Sequence, residues 1–375
     1  MRRVLSYSFA GAAALVAVSL AAPTLVARAG EGEQAPKGIA KPWTMPRTAD
    51  GKPDLQGNWS NATQTPLERA PGQNLVLTDE EAAKIENRVQ TVKEFRDAPS
   101  DPNRPPPSKG GDNRPLPPGE PTFIERISEA AGGRVGGYNG FWLDPGEQVL
   151  RIDGKARSGM VIDPPDGRIP GVTPEARKRM AAEAAKRKGI GEYDHPEMRG
   201  LAERCLLSFG TNLGPPMLPN YFYNNNYQIV QSKDTIMIMT EMVHDVRVIR
   251  MGANLQHPPK GVRFWGGDSI GRWEGDTLVI ETTNFHPLQQ YRGAWENLKV
   301  TERFTRAGPT QIVYRFTVED PTTFAAPWTA ELAFNKMDEQ IFEYACHEGN
   351  YALSNVLGGE RAKEKREAEA KKPQP

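Results

Sequence analysis

The sequence predicts a mainly β protein: an antiparallel meander of about eight or nine strands, closed into a barrel and preceded by helices and an extended arm. Three observations carry this. Short runs of alternating apolar character crowd residues 220–348, with no helical pattern between them. Several breaks between runs hold turn formers, at Ser232–Asp234, Glu274–Asp276, Ala307–Pro309 and Lys336–Glu339. A meander of that many strands leaves two exposed edges, and closure removes both.

Taken in order, the chain opens with a secretory signal over residues 1–29. Arg2 and Arg3 precede the apolar "AGAAALVAVSLAA", and "ARA" at Ala27–Ala29 supplies small residues for cleavage. The apolar run is short of the roughly 20 residues a spanning helix needs. No cysteine follows it for lipid attachment, so the expectation is a periplasmic or extracellular protein without an integral membrane segment after cleavage.

Residues 30–130 read as an extended and helical arm. "TDEEAAKIENRVQTVKEF" is a helix with Thr78 as N-cap and Glu81 completing a capping box, and Ile85, Val89, Val92 and Phe95 form one stripe. Residues 99–121 carry nine prolines and read as a linker, with a wrapping arm as the alternative. The barrel domain is expected over 131–358, with "FWLD", "QVLRI" and "SGMVIDP" as short strands. A helical insertion spans 173–190, capped by Thr173, with Pro174 in its first turn and Gly189 at its end. The barrel strands follow: "YQIVQ", "TIMIMTEMV", "VRVIRM", "IGRWE", "TLVIETTNF", "LKVTERFTR", "QIVYRFTVE", "TAELAFN" and "QIFEYACHE". Residues 359–375 form a charged tail.

Lys+Arg and Asp+Glu both number 47, so no net charge draws the chain to nucleic acid or an anionic membrane. In an oxidising compartment the only two cysteines, Cys205 and Cys346, most simply pair, contributing roughly 4–5 kcal/mol on the chain-entropy view. "GDSIG" at Gly267–Gly271 fits the G-x-S-x-G spacing, but the strand-elbow-helix context of a nucleophile is missing, so Ser269 reads as a polar hairpin residue. None of the histidines (His195, His244, His257, His286, His347) lies in a zinc pattern, so neither metal nor cofactor is expected.

Polar residues on apolar strand faces are the better site candidates, because a buried carboxylate must be paired or strongly perturbed. Glu241 alternates with Met237 and Met239, Glu302 with Val300 and Phe304, and Tyr314 with Ile312 and Phe316. His244 and Asp245 break the run at "EMVHD". Glu241, His244, Asp245 and Glu302 are the acid–base candidates; Arg247, Tyr314, His347 and Glu348 are the ligand-contact candidates. The structural alternative is that Arg247 and Arg303 merely neutralise the carboxylates. A pocket is expected at the barrel end bearing the "EMVHD" break.

Phrases such as "RTADGKPDLQGNWS", "LAERCL", "PPMLPNYFYNNNYQIVQ", "GRWEGDTLVIETTNF" and "YACHEGNYALSNVLGG" recur together, and by them the chain resembles a widespread family of uncharacterised secreted bacterial proteins. The resemblance spans roughly the whole mature chain; it implies export and a β core and lends no catalytic role. The meander also resembles lipocalin-type barrels in architecture alone, without their signature sequence. Three functions follow. The first is a secreted barrel binding a small, partly apolar ligand. The second is a barrel hydrolase, lyase or isomerase using Glu241, His244 and Glu302. The third is an extracellular interaction protein. Binding is preferred, because no nucleophile, metal or cofactor motif has its required context. Ligand identity and oligomeric state stay open.

Overall fold

The structure, a computed structural model, describes residues 43–98, 103, 116–130, 144–209 and 212–371. The signal over 1–29, the start of the arm, nearly all of 99–115 and the expected strand at "FWL" lie outside the described residues.

Twelve strands and four helices are described: β1 Gly57–Ser60, α1 Asp79–Asp97, α2 Phe123–Ala130, β2 Arg151–Ile152, β3 Lys155–Ala156, β4 Val161–Asp163, α3 Pro174–Lys186, β5 Asn226–Gln231, β6 Thr235–Thr240, β7 Val246–Met251, β8 Asp268–Glu274, β9 Thr277–Thr283, β10 Lys299–Arg306, β11 Gln311–Glu319, β12 Trp328–Met337 and α4 Ala352–Ala370. The strands β1 and β5 to β12 form one sheet that closes on itself, because β1 pairs with β5 on one side and with β12 on the other. The result is a nine-stranded mixed barrel, with β4 added beside β1 on the remaining length of β12.

The alternation predicted for the strands sets their inner faces. Ile236, Ile238 and Thr240 of β6, Val300, Glu302 and Phe304 of β10, Ile312, Tyr314, Phe316 and Val318 of β11, and Trp328, Ala330, Leu332 and Phe334 of β12 are all buried. Registers join them into layers, such as Leu278–Phe304–Tyr314–Leu332 and Ile280–Glu302–Phe316–Ala330. Rings contact edge to face: Tyr227 lies 5.0 Å from Phe334, and Phe316 lies 5.5 Å from Trp328.

Four expectations need correction. The barrel is not an antiparallel meander throughout. β7 and β8 run parallel, and residues 252–267 carry the chain back along the barrel between them. No two-residue hairpin can make that connection, which needs a dozen or more residues. The expected last strand, "QIFEYACHE", is coil. Its place is taken by β1, which pairs Asn58, Trp59 and Ser60 with Met337, Lys336 and Asn335. The barrel therefore starts within the expected arm rather than at residue 131. Lastly, residues 116–121 of the proline-rich stretch dock on α1, where Arg88 donates to the Pro117 carbonyl at 2.7 Å.

The helix signals match the structure closely. Thr78 and Glu81 make the capping box of α1, with bonds of 3.2 and 2.8 Å. Thr173 accepts from the Ala176 amide at 3.0 Å to cap α3, which is largely solvated. No helix among the described residues is long and apolar enough to cross a membrane.

Candidate functional site at the closed end of the barrel

Arg247 near the start of β7, Ser269 near the start of β8, Thr282 near the end of β9, Glu302 of β10 and Tyr314 of β11 all point inward, as the burial pattern of their strands requires. They form one hydrogen-bonded group. Arg247 donates to both oxygens of Glu302, at 3.0 and 2.6 Å, and the Tyr314 hydroxyl donates to Oε1 at 2.7 Å. Ser269 and Thr282 share a 2.8 Å hydrogen bond beside Arg247. All five are buried. Burial alone would lower the Arg247 pKa, but the Glu302 carboxylate raises it on balance. Burial, then the charge of Glu302, pushes the Tyr314 hydroxyl well above its ordinary range. Three of the sequence candidates, Arg247, Glu302 and Tyr314, thus come together as a neutralised pair with a phenol. Ser269 is a strand residue facing the interior, not a hairpin residue.

A stretch of eight residues, Asn212–Pro219, is buried throughout and caps this end. Its Met217 amide donates to the Tyr314 hydroxyl at 3.0 Å, and its Asn212 carbonyl accepts from Tyr227 at 3.1 Å. The polar group inside the barrel is therefore tied to the plug above it.

The "EMVHD" break lies at the same end, but its residues do not join that group. β6 stops at Thr240, with Met237 and Met239 on its outer face, so Glu241 does not share their alternation. Glu241 is buried beyond the strand end. It accepts from Asn226 at 2.7 Å and from the Phe342 amide at 3.1 Å. His244 is exposed, with Nδ1 3.1 Å from the Tyr344 carbonyl. Asp245 accepts from the Ser208 amide at 3.3 Å, and burial pushes its carboxyl up to about 6. The Cys205–Cys346 disulfide is present, with Cα atoms 5.8 Å apart. It packs against Met242 and Val243 of the break, pinning the C-terminal coil over the plug. His347 and Glu348 follow it on an exposed turn, away from the buried group. Arg303 faces outward and pairs with Glu274.

Among the described residues, cavities open outside the barrel interior, and three of them bear on the site. One, of about 360 Å³, lies on the outer wall beside Arg303, Arg315 and Glu331; a second, of about 400 Å³, lies between α1 and residues 64–73. The largest of the three, about 530 Å³, lies between α1, α2 and the segment Asp144–Glu147. Val89, Val92 and Ile124 form its apolar wall, and Lys93, Arg96, Asp97, Asp144 and Glu147 its polar side. It belongs to the same barrel end: the Asp144 amide donates to the Phe222 carbonyl at 2.7 Å, and Asn225 donates to the Asp144 carbonyl at 2.9 Å. The Asp144 residue keeps exposed surface. Its carboxyl accepts from the Gly146 amide, which lowers its pKa, but it is raised on balance, first by crowding of protein atoms and then by the charges of Glu241, Glu147 and Glu339. Neither Asp144 nor Gln64, which lines the cleft from below, carried a sequence signal. Residue types marked the strands, but nothing marked a loop carboxylate facing a helix.

A second group outside the sequence candidates lies on the outer face of β7, β8 and β9. His257 sits with Nδ1 2.6 Å from Asp268 and Nε2 3.4 Å from Glu281, while Arg250 donates to Asp268 at 2.8 Å. This clamps the crossover of residues 252–267 to the barrel wall. Among the described residues, no group of three or more His, Cys, Asp or Glu could hold a metal ion.

A scan of protein-family models and a search of curated proteins found no match. A search of solved structures found a crystal structure of a mutant of the fluorescent protein UnaG, at 14% identity over 30% of this chain and 72% of that one, with a TM-score of 0.20. At that score the likeness carries no argument about this chain.

Proposed function

We propose that this chain is an exported β-barrel binding protein that takes a small, partly apolar ligand in the cleft between α1, α2 and Asp144–Glu147. The single observation that carries the reading is the cleft itself. Its volume of about 530 Å³ and its mix of aliphatic wall and a few polar groups are those of a small-molecule site. The packed interior favours this place over the lumen, since Trp59, Tyr227, Phe304, Phe316, Trp328 and Phe334 fill the space a ligand would need. Export is supported by the signal-like N-terminus and by the disulfide, a bond characteristic of oxidising compartments. Resemblance to secreted bacterial proteins points the same way. An acid–base enzyme is disfavoured, because Glu302 is neutralised by Arg247 while His244 lies apart on the surface.

The test is a thermal-shift screen of the mature protein against a metabolite panel, repeated with Val89→Trp. Val89 is half-buried on the cleft wall, so the indole should occupy the cleft without emptying the core. Ligands that raise Tm in the wild type should lose their effect in the variant. A full response in the variant would place binding elsewhere and end this reading.

A further inference from the structure

We infer that the ligand of this cleft is a small amphiphilic amine, its basic nitrogen held by Asp144 and Gln64 and its apolar body laid against Val89, Val92 and Ile124. The inference rests on the binding reading above and deepens it.

The charges around the cleft decide the sign. The lining sets two cations, Lys93 and Arg96, against four acids, Asp97, Glu125, Asp144 and Glu147; Arg88 holds Glu125, and Lys93 pairs with Glu147 while its charge also acts on Asp97 and Asp144. Asp144 is the acid on which the other carboxylates crowd, for Glu241, Glu147 and Glu339 all lie close enough to act on it. Glu241 is satisfied by the Asn226 amide group and the Phe342 backbone, neither of them a cation. The rim therefore carries net negative charge, and a cation entering it relieves repulsion among carboxylates. An anion would add to that repulsion.

Gln64 is an independent pointer to a donor. The residue is 4% exposed and lines this cleft and the neighbouring cavity of about 400 Å³. Its Nε2 donates to the Gly146 carbonyl at 2.6 Å, but its Oε1 accepts no hydrogen bond. A buried acceptor without a donor is costly, and a ligand N–H would satisfy it. Gly146 fixes the relative placement of the two anchors. Its φ is +80°, and a Cβ there would meet the Ala62 and Thr63 backbone at 2.7 Å, so the Asp144–Glu147 turn sits directly on the segment carrying Gln64. An ammonium, with three donors and one charge, suits one carboxylate and one amide oxygen.

The experiment uses the mature chain and three probes of equal chain length: hexylamine, hexanol and hexanoate. Binding is read by isothermal titration or by ligand-observed NMR. Hexylamine should bind about tenfold or more tighter than hexanol, and hexanoate weakest. Asp144→Asn, which keeps an oxygen for the Gly146 amide, should bring hexylamine down to hexanol while leaving hexanol unchanged. Val89→Trp should abolish both. Equal binding of amine and alcohol, or an amine advantage that survives Asp144→Asn, overturns the amine inference and leaves the cleft standing. Failure of all three probes to saturate, or saturation unaffected by Val89→Trp, overturns the cleft and the inference together.

Discussion

Replacing Glu302 by Gln should cost the fold about 3–5 kcal/mol, although the two side chains have almost the same shape. The carboxylate is fully buried and receives three hydrogen bonds, two from Arg247 at 3.0 and 2.6 Å and one from Tyr314 at 2.7 Å. The amide keeps one acceptor oxygen but turns an NH2 group towards donors, and it leaves the Arg247 charge buried without a counter-ion. Charge-assisted bonds of this kind contribute roughly 1.5–3 kcal/mol each, so losing two and straining the third reaches the range given. The converse holds for the pair. Arg247→Met with Glu302→Leu removes both desolvation penalties, and should fall within about 1 kcal/mol of wild type or exceed it. The assay is urea unfolding followed by tryptophan fluorescence and far-UV circular dichroism, with a double-mutant cycle for the coupling energy. A loss below about 1 kcal/mol for Glu302→Gln would mean that the pair is hydrated. A double variant less stable than either single variant would mean that the pair contributes net stability, and either result refutes the reasoning.

Tyr314→Phe should cost roughly 1–3 kcal/mol by unpairing the Met217 amide and removing one of the two bonds to Glu302 Oε1, and hydrogen exchange should accelerate at Met217 before it does in the strands. Thiol titration of the unfolded, unreduced mature chain should find no free thiol, and replacing both cysteines by Ser should lower stability by about 2–5 kcal/mol. Asp245 has a carboxyl raised to about 6, so its ionisation penalises the folded state. The penalty is absent below its ordinary pKa, grows as pH rises towards 6 and is complete above it. Asp245→Asn should therefore gain on the order of 1 kcal/mol over wild type at neutral pH, discounted for partial exposure, and nothing in acid near pH 3. Equal gains at both pH values would point to a cause other than ionisation.

The strands were legible because alternation is written in side chains that must face either solvent or core. "KVTERF" and "QIVYRFTVE" identified the inward positions of Glu302 and Tyr314, and Arg247 was already a candidate partner. β1 was not legible. Gly57–Ser60 is four residues long, and only its long-range pairing with β5 and with the free length of β12 makes it a strand. The coil "FEYACHE" shows the reverse case. Phe342, Tyr344 and Cys346 alternate as in a strand, but β1 and β4 already occupy the edge it would need. The parallel pairing of β7 with β8 depends on a long-range choice of partners that no local period records. Glu241 was misassigned because "TIMIMTEMV" carried its strand three residues too far, past Thr240 and into the 3-10 turn Met242–His244. Beyond the last paired residue the period of two no longer assigns a face, so Glu241 is buried while Met237 and Met239 face outward.

The two ends of the barrel bear on where a ligand can enter without unfolding anything. At one end, Met217 and Asn212 are bonded to Tyr314 and Tyr227, and the disulfide holds a second layer over them. At the other, the strands turn tightly, and the segment before β1 crosses the opening, with Arg47 bound to Asp276 at 2.9 Å and Arg306 donating to the Asp54 carbonyl. Opening the plugged end would break several buried hydrogen bonds together and wet the Arg247–Glu302 pair, and opening the other would break the contacts of the segment that crosses it. The cleft asks for none of this. Its floor is Gln64 and the Asp144–Glu147 turn, held by hydrogen bonds to Phe222 and Asn225, and its wall is α1 and α2, which meet through the Arg88–Glu125 ion pair at 2.7 Å. Small changes in how these helices lie would alter the cleft's size while the barrel stays closed. On this account selectivity should reside in α1, α2 and the Asp144–Glu147 turn. Variants that destabilise the barrel, Glu302→Gln among them, should lower stability without altering which ligand is preferred.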